Sequence, residues 1–229
     1  MSRKKPGERK SAVKKEKISE SFEAELAEKM HTLPSLGLAA LAPDRTVLLI
    51  VDMINGFTRM GALRSDRVAG IIPEVAALSE ACEKLGIARL AFADAHREDS
   101  PEFGAYPVHC LAGSEESEVV DEIKKAGGYV LIPKNSTNAF HEPAFRRWLD
   151  AHPQVDTFLI AGCCTDICVF QLATALKTWF NAQNRASRVI VPRSAVETYD
   201  LPGHPAEAAG LFALYGMQTN GVELVSAAG

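Results

Sequence analysis

The chain has 229 residues, of which 47% are hydrophobic and 24% are charged, with a net charge of −4 at pH 7. This composition excludes a disordered, collagen-like or disulfide-scaffold protein, and the lack of any run of about 18 apolar residues argues against a membrane span. The five cysteines follow an N-terminus that lacks the apolar core of a secretory signal, so we expect thiols in a reducing compartment. These features predict a cytoplasmic globular protein with no membrane partner.

The N-terminal segment is strongly basic. Residues 1–17 hold eight Lys and Arg against two Glu, a net charge of +6, so the other 212 residues together carry −10. An acidic body lacks the basic surface that phosphate contacts require, which argues against a nucleic-acid partner. We interpret residues 1–17 as a solvated basic arm.

An amphipathic helix is predicted directly after the basic arm. Ile18, Phe22, Leu26 and Met30 recur every fourth residue with Glu and Lys between them, which places one apolar stripe on a helix. The stripe must pack on the body of the chain or on a partner subunit, and we expect a homo-oligomer. We divide the chain into residues 1–40, the arm with its helix, and residues 41–229, the main domain.

From residue 46 onward, apolar β-rich runs alternate with helical stretches. The first run, Thr46–Val51, is continuously apolar, as in a strand buried on both faces. The other predicted strands are Ala88–Ala93, Tyr129–Ile132, Thr157–Ala161, Arg188–Val191 and Val222–Val225. The predicted helical stretches are Ser65–Leu85, Glu116–Ala126, Glu142–Ala151, Asp166–Gln183 and Ala206–Leu214. This alternation predicts a doubly wound, Rossmann-like α/β fold with a mainly parallel sheet and helices on both faces.

Reactive side chains follow four successive predicted strands. Asp52 follows the first, Asp94 and His96 the second, Lys134 the third, and the cysteine-rich segment 162–168 the fourth. Ligands of open parallel sheets bind outside the carboxyl ends of the strands. Reactive residue types at four such ends therefore predict a functional site at this edge of the sheet.

Cys168 is the candidate nucleophile of that site. Its predicted place in the first turn of a helix would lower the thiol pKa through the helix dipole, and Lys134 would act in the same direction. Asp52 would accept the thiol proton, and the backbone N–H groups of the Cys164–Cys168 turn would form an oxyanion hole. This arrangement suits covalent acyl transfer. The alternative is that Cys168 is a small buried hydrophobic residue, as we expect of the other cysteines.

Three motifs resemble those of the isochorismatase-like cysteine hydrolases. The segment LIAGCCTDICV (residues 159–169) resembles their nucleophile turn, IVDMINGF (50–57) their first catalytic motif, and IPK (132–134) their second. The resemblance covers about residues 40–226. It implies a catalytic triad of Asp52, Lys134 and Cys168, and a non-proline cis peptide near Cys163–Cys164.

A further loop carries metal-ligand chemistry. Asp94 and His96 stand two residues apart in an extended segment, so both side chains can reach one ion. The string from Asp94 through Glu102 to His109 is similar to the metal loop of nicotinamidases. That resemblance implies one divalent transition metal held by Asp94, His96 and His109, with Glu102 as a direct or water-mediated ligand. Zn²⁺ is the first candidate, with Mn²⁺ and Fe²⁺ as alternatives.

The resemblance to nicotinamidases implies hydrolysis of nicotinamide to nicotinate and ammonia, with the metal orienting the pyridine ring. Phe57 and Tyr106 would form aromatic walls of the ring pocket, or would belong to the core. Three alternatives remain open: another small carboxamide or a ureide as substrate, isochorismate hydrolysis without a metal, and a binding or regulatory protein. The intact triad argues against the last.

Overall fold

A computed structural model describes residues 22–229 of the chain, so the basic arm and Ile18 lie outside the described residues. Its centre is a seven-stranded sheet in which the strands run in the order β3-β2-β1-β4-β5-β7, with β6 paired to β4. Every pairing between these strands is parallel. The strands are β1 (Thr46–Val51), β2 (Ala88–Asp94), β3 (Val130–Lys134), β4 (Thr157–Cys163), β5 (Arg188–Pro192), β6 (Val196–Glu197) and β7 (Glu223–Val225).

Helices connect the strands and cover the sheet. They are α1 (22–31), α2 (Asn55–Thr58), α3 (Asp66–Gly70), α4 (Ile72–Lys84), α5 (Asp121–Ala126), α6 (Pro143–Ala151), α7 (Phe170–Ala182) and α8 (Ala206–Thr219). A π-helical turn, Thr165–Val169, leads directly into α7. Among residues 22–229, none of the helices combines the length and the apolar character needed to span a bilayer.

The two faces of the sheet bury separate apolar layers. Side chains alternate along β1, so that Val47, Leu49 and Val51 join one buried cluster while Leu48 and Ile50 join the other. The first cluster includes residues of α6, α7 and α8, and the second includes residues of α3, α4 and α5. The predicted doubly wound architecture is therefore confirmed.

Some predicted boundaries were wrong. The stretch Ser65–Leu85 is two helices, because Pro73 has no N–H to donate to the carbonyl of Ala69 and the chain restarts as α4. The predicted helix Glu116–Ala126 begins only at Asp121, after a separate short 3-10 turn. Strand β6 was missed, since two residues are too short to show a pattern.

Helix α1 packs on the body of this chain. Leu26 and Met30 are 4% and 2% exposed, and Met30 joins the cluster that contains α8. The ring of Phe22 meets the ring of Tyr215 edge-on at a centroid distance of 5.4 Å. Within the described part of the predicted apolar stripe, Phe22 contacts α8 of the same chain and Met30 shares a buried cluster with it. The boundary at residue 40 and the homo-oligomer remain predictions.

Candidate active site

The predicted strand-end residues meet where the order of the strands reverses. From β1 the chain runs outward through β2 to β3, and then returns to the other side of β1 as β4. The ends of β1 and β4 approach closely, because a Cβ at Gly162 would lie 2.0 Å from the carbonyl oxygen of Val51. Only glycine fits there, at φ +118°. This close approach brings the cysteine-rich turn against Asp52, at the switch point where such sheets bind ligands.

Asp52, Lys134 and Cys168 form one buried group. Lys134 Nζ lies 2.9 Å from Asp52 Oδ2 and 3.8 Å from Cys168 Sγ. The Cys168 side chain also lies close enough to lower the pKa of the Asp52 carboxyl. Lys134 also pairs with Asp94 and donates to the carbonyl of Ser136 at 3.2 Å. Lys134 thus contacts both of the other residues of the predicted triad.

Burial sets the protonation of the acidic partner. Desolvation raises the pKa of Asp52 to about 7, the neighbouring Asp94 carboxylate adds to the rise, and the Lys134 ammonium opposes it. Burial alone would lower the pKa of Lys134, but the two carboxylates outweigh it and hold that pKa well above its usual value. Lys134 is therefore a fixed cation, and Asp52 is a carboxyl group that exchanges protons near neutral pH.

The prediction of a low pKa for the Cys168 thiol was wrong. The thiol is 6% exposed, and desolvation raises its pKa well above the usual value although Lys134 lowers it. Asp52 and Asp94 raise it further, since they disfavour a second nearby anion. Cys168 also lies in the π-helical turn before α7 rather than in a regular first turn. The thiol must therefore pass its proton to a neighbouring base when it reacts.

Cys164 stands at the entrance to the π-helical turn. The peptide bond between Cys163 and Cys164 is cis, as the resemblance implied. The carbonyl of Cys164 accepts the N–H groups of Ile167 and Val169, both at 3.1 Å. Cys164 is half-buried and lines the same cavity as Cys168. The N–H groups of Ile167 and Val169 thus already donate to the Cys164 carbonyl. Fewer N–H groups of the predicted turn therefore remain free to form an oxyanion hole.

The predicted metal ligands come together beside this group. One ligand atom from each of Asp94, His96, Glu102 and His109 lies within 4.8 Å of the others. His96 Nε2 is 3.5 Å from Asp94 Oδ1 and 3.6 Å from Glu102 Oε1, and His109 Nε2 is 3.9 Å from Asp94 Oδ2. Asp94 contacts Lys134 as well, so it joins the candidate metal centre to the candidate triad.

The donor set of this centre fits a transition-metal ion. His96 Nδ1 lies 3.2 Å from Asn135 Oδ1, and His109 Nδ1 lies 2.8 Å from the carbonyl of Pro107. An acceptor at Nδ1 fixes the proton there and leaves the Nε2 lone pair free for an ion. His96 Nε2 is buried without a hydrogen-bond partner. Two imidazoles and two carboxylates are a ligand set that suits Zn²⁺, Mn²⁺ or Fe²⁺.

A cavity of about 570 Å³ opens onto Cys168 and three of the candidate metal ligands, Asp94, Glu102 and His109. Phe57 and Tyr106 line it, with their ring centroids 5.8 Å and 6.1 Å from that of His109, and their contact with a substrate ring remains a prediction. Tyr199, which the sequence analysis did not single out, also lines the cavity. In the sequence, Tyr199 is marked only by its position a few residues after the fifth predicted strand. Asn135 was missed too, although it directly follows Lys134.

Comparison with known proteins identifies the family. The family model described as the isochorismatase domain matches residues 46–225, most of the chain. The chain belongs to the isochorismatase family. Nicotinamidase 1 of Arabidopsis thaliana is 32% identical over 213 residues, covering 78% of this chain and 84% of the relative. The family and this relative support an amidohydrolase of the nicotinamidase branch.

Solved structures of two amidases share the fold. N-carbamoylsarcosine amidase from Thermoplasma acidophilum is 25% identical, with a TM-score of 0.65 over 79% of this chain and 95% of that one. Pyrazinamidase of Pyrococcus horikoshii, in complex with zinc, is 24% identical, with a TM-score of 0.66 over 79% and 98%. These likenesses confirm the mainly parallel sheet with covering helices.

Proposed function

We propose that this protein hydrolyses nicotinamide to nicotinate and ammonia through a thioester on Cys168. The observation that carries the proposal is that Asp94 belongs to both halves of the site. It contacts Lys134, which contacts Asp52 and Cys168, and it lies among the four candidate metal ligands. Lys134 and Asp94 therefore connect Cys168, where the carboxamide carbon would react, to the candidate site of an ion that can bind a ring nitrogen. The 32% identity to a nicotinamidase supports the same substrate.

The reaction begins with a proton transfer. Asp52, with a pKa of about 7, takes the proton of the Cys168 thiol as the sulfur attacks the carboxamide carbon. Lys134 keeps its proton and stabilises the negative charge that this transfer creates beside it. Because the thiol pKa is raised, attack and proton transfer are coupled, and no free thiolate waits in the resting site.

The second half of the reaction returns the proton. The protonated Asp52 carboxyl gives its proton to the leaving nitrogen, so ammonia departs and a thioester of nicotinate remains on Cys168. Asp52 then takes a proton from water, whose oxygen attacks the thioester carbonyl. The C–S bond then breaks, Asp52 returns its proton to the sulfur of Cys168, and the acid leaves as nicotinate after losing its proton to solvent. We assign the developing oxyanion to backbone N–H groups of the Cys164–Cys168 turn other than that of Ile167, which donates to the carbonyl of Cys164.

Asp94, His96, Glu102 and His109 would hold the divalent metal, for which Zn²⁺ is our first choice. When bound, the ion supplies a Lewis-acid contact for the pyridine nitrogen, which orients the ring. Phe57 and Tyr106 would flank the pyridine ring, since both line the cavity. We propose this positioning role because a misplacement of about 1 Å can cost roughly a hundredfold in rate.

Ammonia release from nicotinamide by the purified, metal-loaded protein tests this proposal. We expect turnover by the wild type and none above background by Cys168→Ala. Cys82→Ala is the matched control, because Cys82 is a buried free thiol in the cluster on the α4 face of the sheet. Turnover by Cys168→Ala at the rate of Cys82→Ala, or no turnover by the wild type, would contradict the proposal.

A further inference from the structure

The loop 198–204, between β6 and α8, forms part of the cavity wall that faces solvent. Tyr199 and Leu201 line the cavity from this loop. The loop closes on itself, since the N–H of Leu201 donates to the carbonyl of His204 at 3.2 Å and the N–H of His204 donates back at 2.9 Å. Gly203 makes the turn at φ +87°. The loop is thus a compact unit that presents Tyr199 to the cavity.

Asp166 ties this loop to the turn that carries the nucleophile. One carboxylate oxygen, Oδ1, accepts a hydrogen bond from Thr198 Oγ1 at 2.6 Å. The other, Oδ2, lies 2.7 Å from His204 Nε2. Asp166 stands two residues before Cys168 in the π-helical turn. One side chain of that turn therefore holds both ends of the loop, and we call Asp166, Thr198 and His204 the latch.

The imidazole of His204 lies between two acceptors. Its Nε2 faces Asp166 Oδ2, and its Nδ1 lies 3.0 Å from the carbonyl oxygen of Tyr199. A neutral imidazole has one N–H and can satisfy one of these acceptors, whereas the imidazolium satisfies both. Burial lowers the pKa of His204, but the contact with Asp166 outweighs it and raises that pKa above the usual value. Both observations favour the charged ring.

Among the described residues, Asp166 is the ionic partner of His204, and the other neighbouring groups make different contacts. The Tyr199 ring stacks on the imidazole at a centroid distance of 4.0 Å and an angle of 15°. The neighbouring Asp200 carboxylate accepts the N–H of Ala206 at 3.0 Å, at the start of α8. The position of the Tyr199 ring therefore depends on the stacked imidazole, and that imidazole depends on Asp166.

We propose that Tyr199 is a substrate-binding wall of the cavity and that the latch is what holds it there. This inference rests on the proposed function, since it assigns the cavity to the amide substrate. Tyr199 contacts the substrate, while His204 and Asp166 are positioning residues that act through it. When the pH rises through the pKa of His204 and the ring loses its proton, one of its two contacts is lost and the wall loosens. KM then rises while kcat, set by the buried group, changes little.

Steady-state kinetics with nicotinamide across the alkaline range tests the wall and the latch. We expect Tyr199→Ala and His204→Ala to raise KM about tenfold or more, with a much smaller change in kcat. Tyr199→Phe keeps the ring and restores most of the affinity. His152→Gln is the control, because His152 stacks on Trp148 at the end of α6, away from the cavity. A KM for His204→Ala equal to that of His152→Gln would overturn the proposal.

Asp166→Asn separates a charged latch from a merely structural contact. The Asn amide nitrogen can donate to an unprotonated Nε2 while its oxygen still accepts from Thr198, so the latch no longer needs the imidazolium. We expect the alkaline rise in KM to disappear in Asp166→Asn, whereas Asp166→Ala has a raised KM at every pH. The same alkaline rise in Asp166→Asn as in the wild type would contradict the role of His204.

Nitrogen NMR of the histidine rings tests the latch without any turnover. With His204→Ala used to assign the signal, both ring nitrogens of His204 should be protonated at neutral pH. A neutral His204 ring at neutral pH would overturn the charged latch. If the wild type releases no ammonia from nicotinamide, the proposed function fails, and the ring signal still decides whether His204 is the imidazolium that the two acceptors require.

Discussion

The inner and outer halves of the site are built differently. In the inner half, Asp52, Lys134 and Asp94 are at most 1% exposed, and each stands in or directly after a strand. In the outer half, Tyr106 and Tyr199 are half-buried and stand on loops. Strand ends are fixed by the ladder of the sheet, whereas loops depend on local contacts. Our proposal therefore places the chemistry on the rigid part of the site, and contacts with the substrate on the adjustable part.

The inner half is also more tightly interdependent. Lys134 contacts Asp52, Asp94, Cys168 and the carbonyl of Ser136, so one cation serves two carboxylates. Removing it leaves buried charges without compensation. Tyr106 has a ring contact with His109 and lines the cavity, and within residues 22–229 it takes part in no ion pair. Substitutions in the inner half should damage the fold together with the activity, and those in the outer half should change KM alone.

The largest effect is expected for Lys134→Met. It should abolish ammonia release and lower the free energy of unfolding by about 3–5 kcal/mol, because Asp52 and Asp94 then lie buried without their cation. Denaturant unfolding and the ammonia assay measure the two effects. Adding Asp52→Asn should recover part of the stability and none of the activity. A Lys134→Met protein as stable as the wild type would show that the inner half is not more interdependent than the outer half.

The metal centre should show a graded response. His96→Ala should lose the ion and most nicotinamide turnover, while Asn135→Ala should weaken metal affinity by roughly 10- to 100-fold, since Asn135 orients the His96 ring. Competition with a chelating dye measures this affinity. Asn181→Ala, on the exposed end of α7, is the control. An Asn135→Ala affinity equal to that of Asn181→Ala would remove Asn135 from the site.

The acidic limb of the pH profile of kcat/KM should reflect the protonation of Asp52. The unprotonated carboxylate must receive the thiol proton, so kcat/KM should fall as the pH drops through the Asp52 pKa of about 7. The profile for Tyr199→Phe should show the same limb, because that change touches only the outer half. A kcat/KM that stays constant down to pH 5 would exclude Asp52 as the proton acceptor.

The smallest effect on catalysis is expected at the N-terminus. Leu26→Ala should lower the free energy of unfolding by about 2 kcal/mol, since Leu26 is buried where α1 packs on the body. Its kcat/KM should remain that of the wild type, as should that of a chain lacking residues 1–17. Glu28→Ala, on the exposed side of α1, is the control for stability. Equal stability of the two variants would show that α1 contributes nothing through this contact.

The inner half could be predicted from the sequence because parallel strands bring their carboxyl ends together. Asp52, Asp94, Lys134 and Cys168 all follow or end apolar runs, and the structure brings them into contact. The pKa of Cys168 could not be predicted in the same way. The sequence can indicate a helix dipole and a nearby cation such as Lys134, both of which lower a thiol pKa. The burial of Cys168, which outweighs them, depends on the whole fold.

The outer half was harder to predict for a related reason. The contact of Tyr199 with the cavity depends on Asp166 and His204, which are 38 residues apart in the chain. No local period or spacing marks such a pair. Strand β6, which precedes Tyr199, has two residues and gives no pattern either. Phe57 and Tyr106 were predicted only because they stand close to motifs that had already been found.

The most direct measurement compares nicotinamide with benzamide before and after metal removal. Benzamide has the carboxamide but no ring nitrogen, so we expect the metal-loaded protein to favour nicotinamide by a kcat/KM ratio of roughly a hundredfold. Stripping the ion should abolish this preference by reducing the turnover of nicotinamide, and Zn²⁺ should restore it. Equal kcat/KM for the two amides in the loaded protein, or full nicotinamide turnover without metal, would contradict the account.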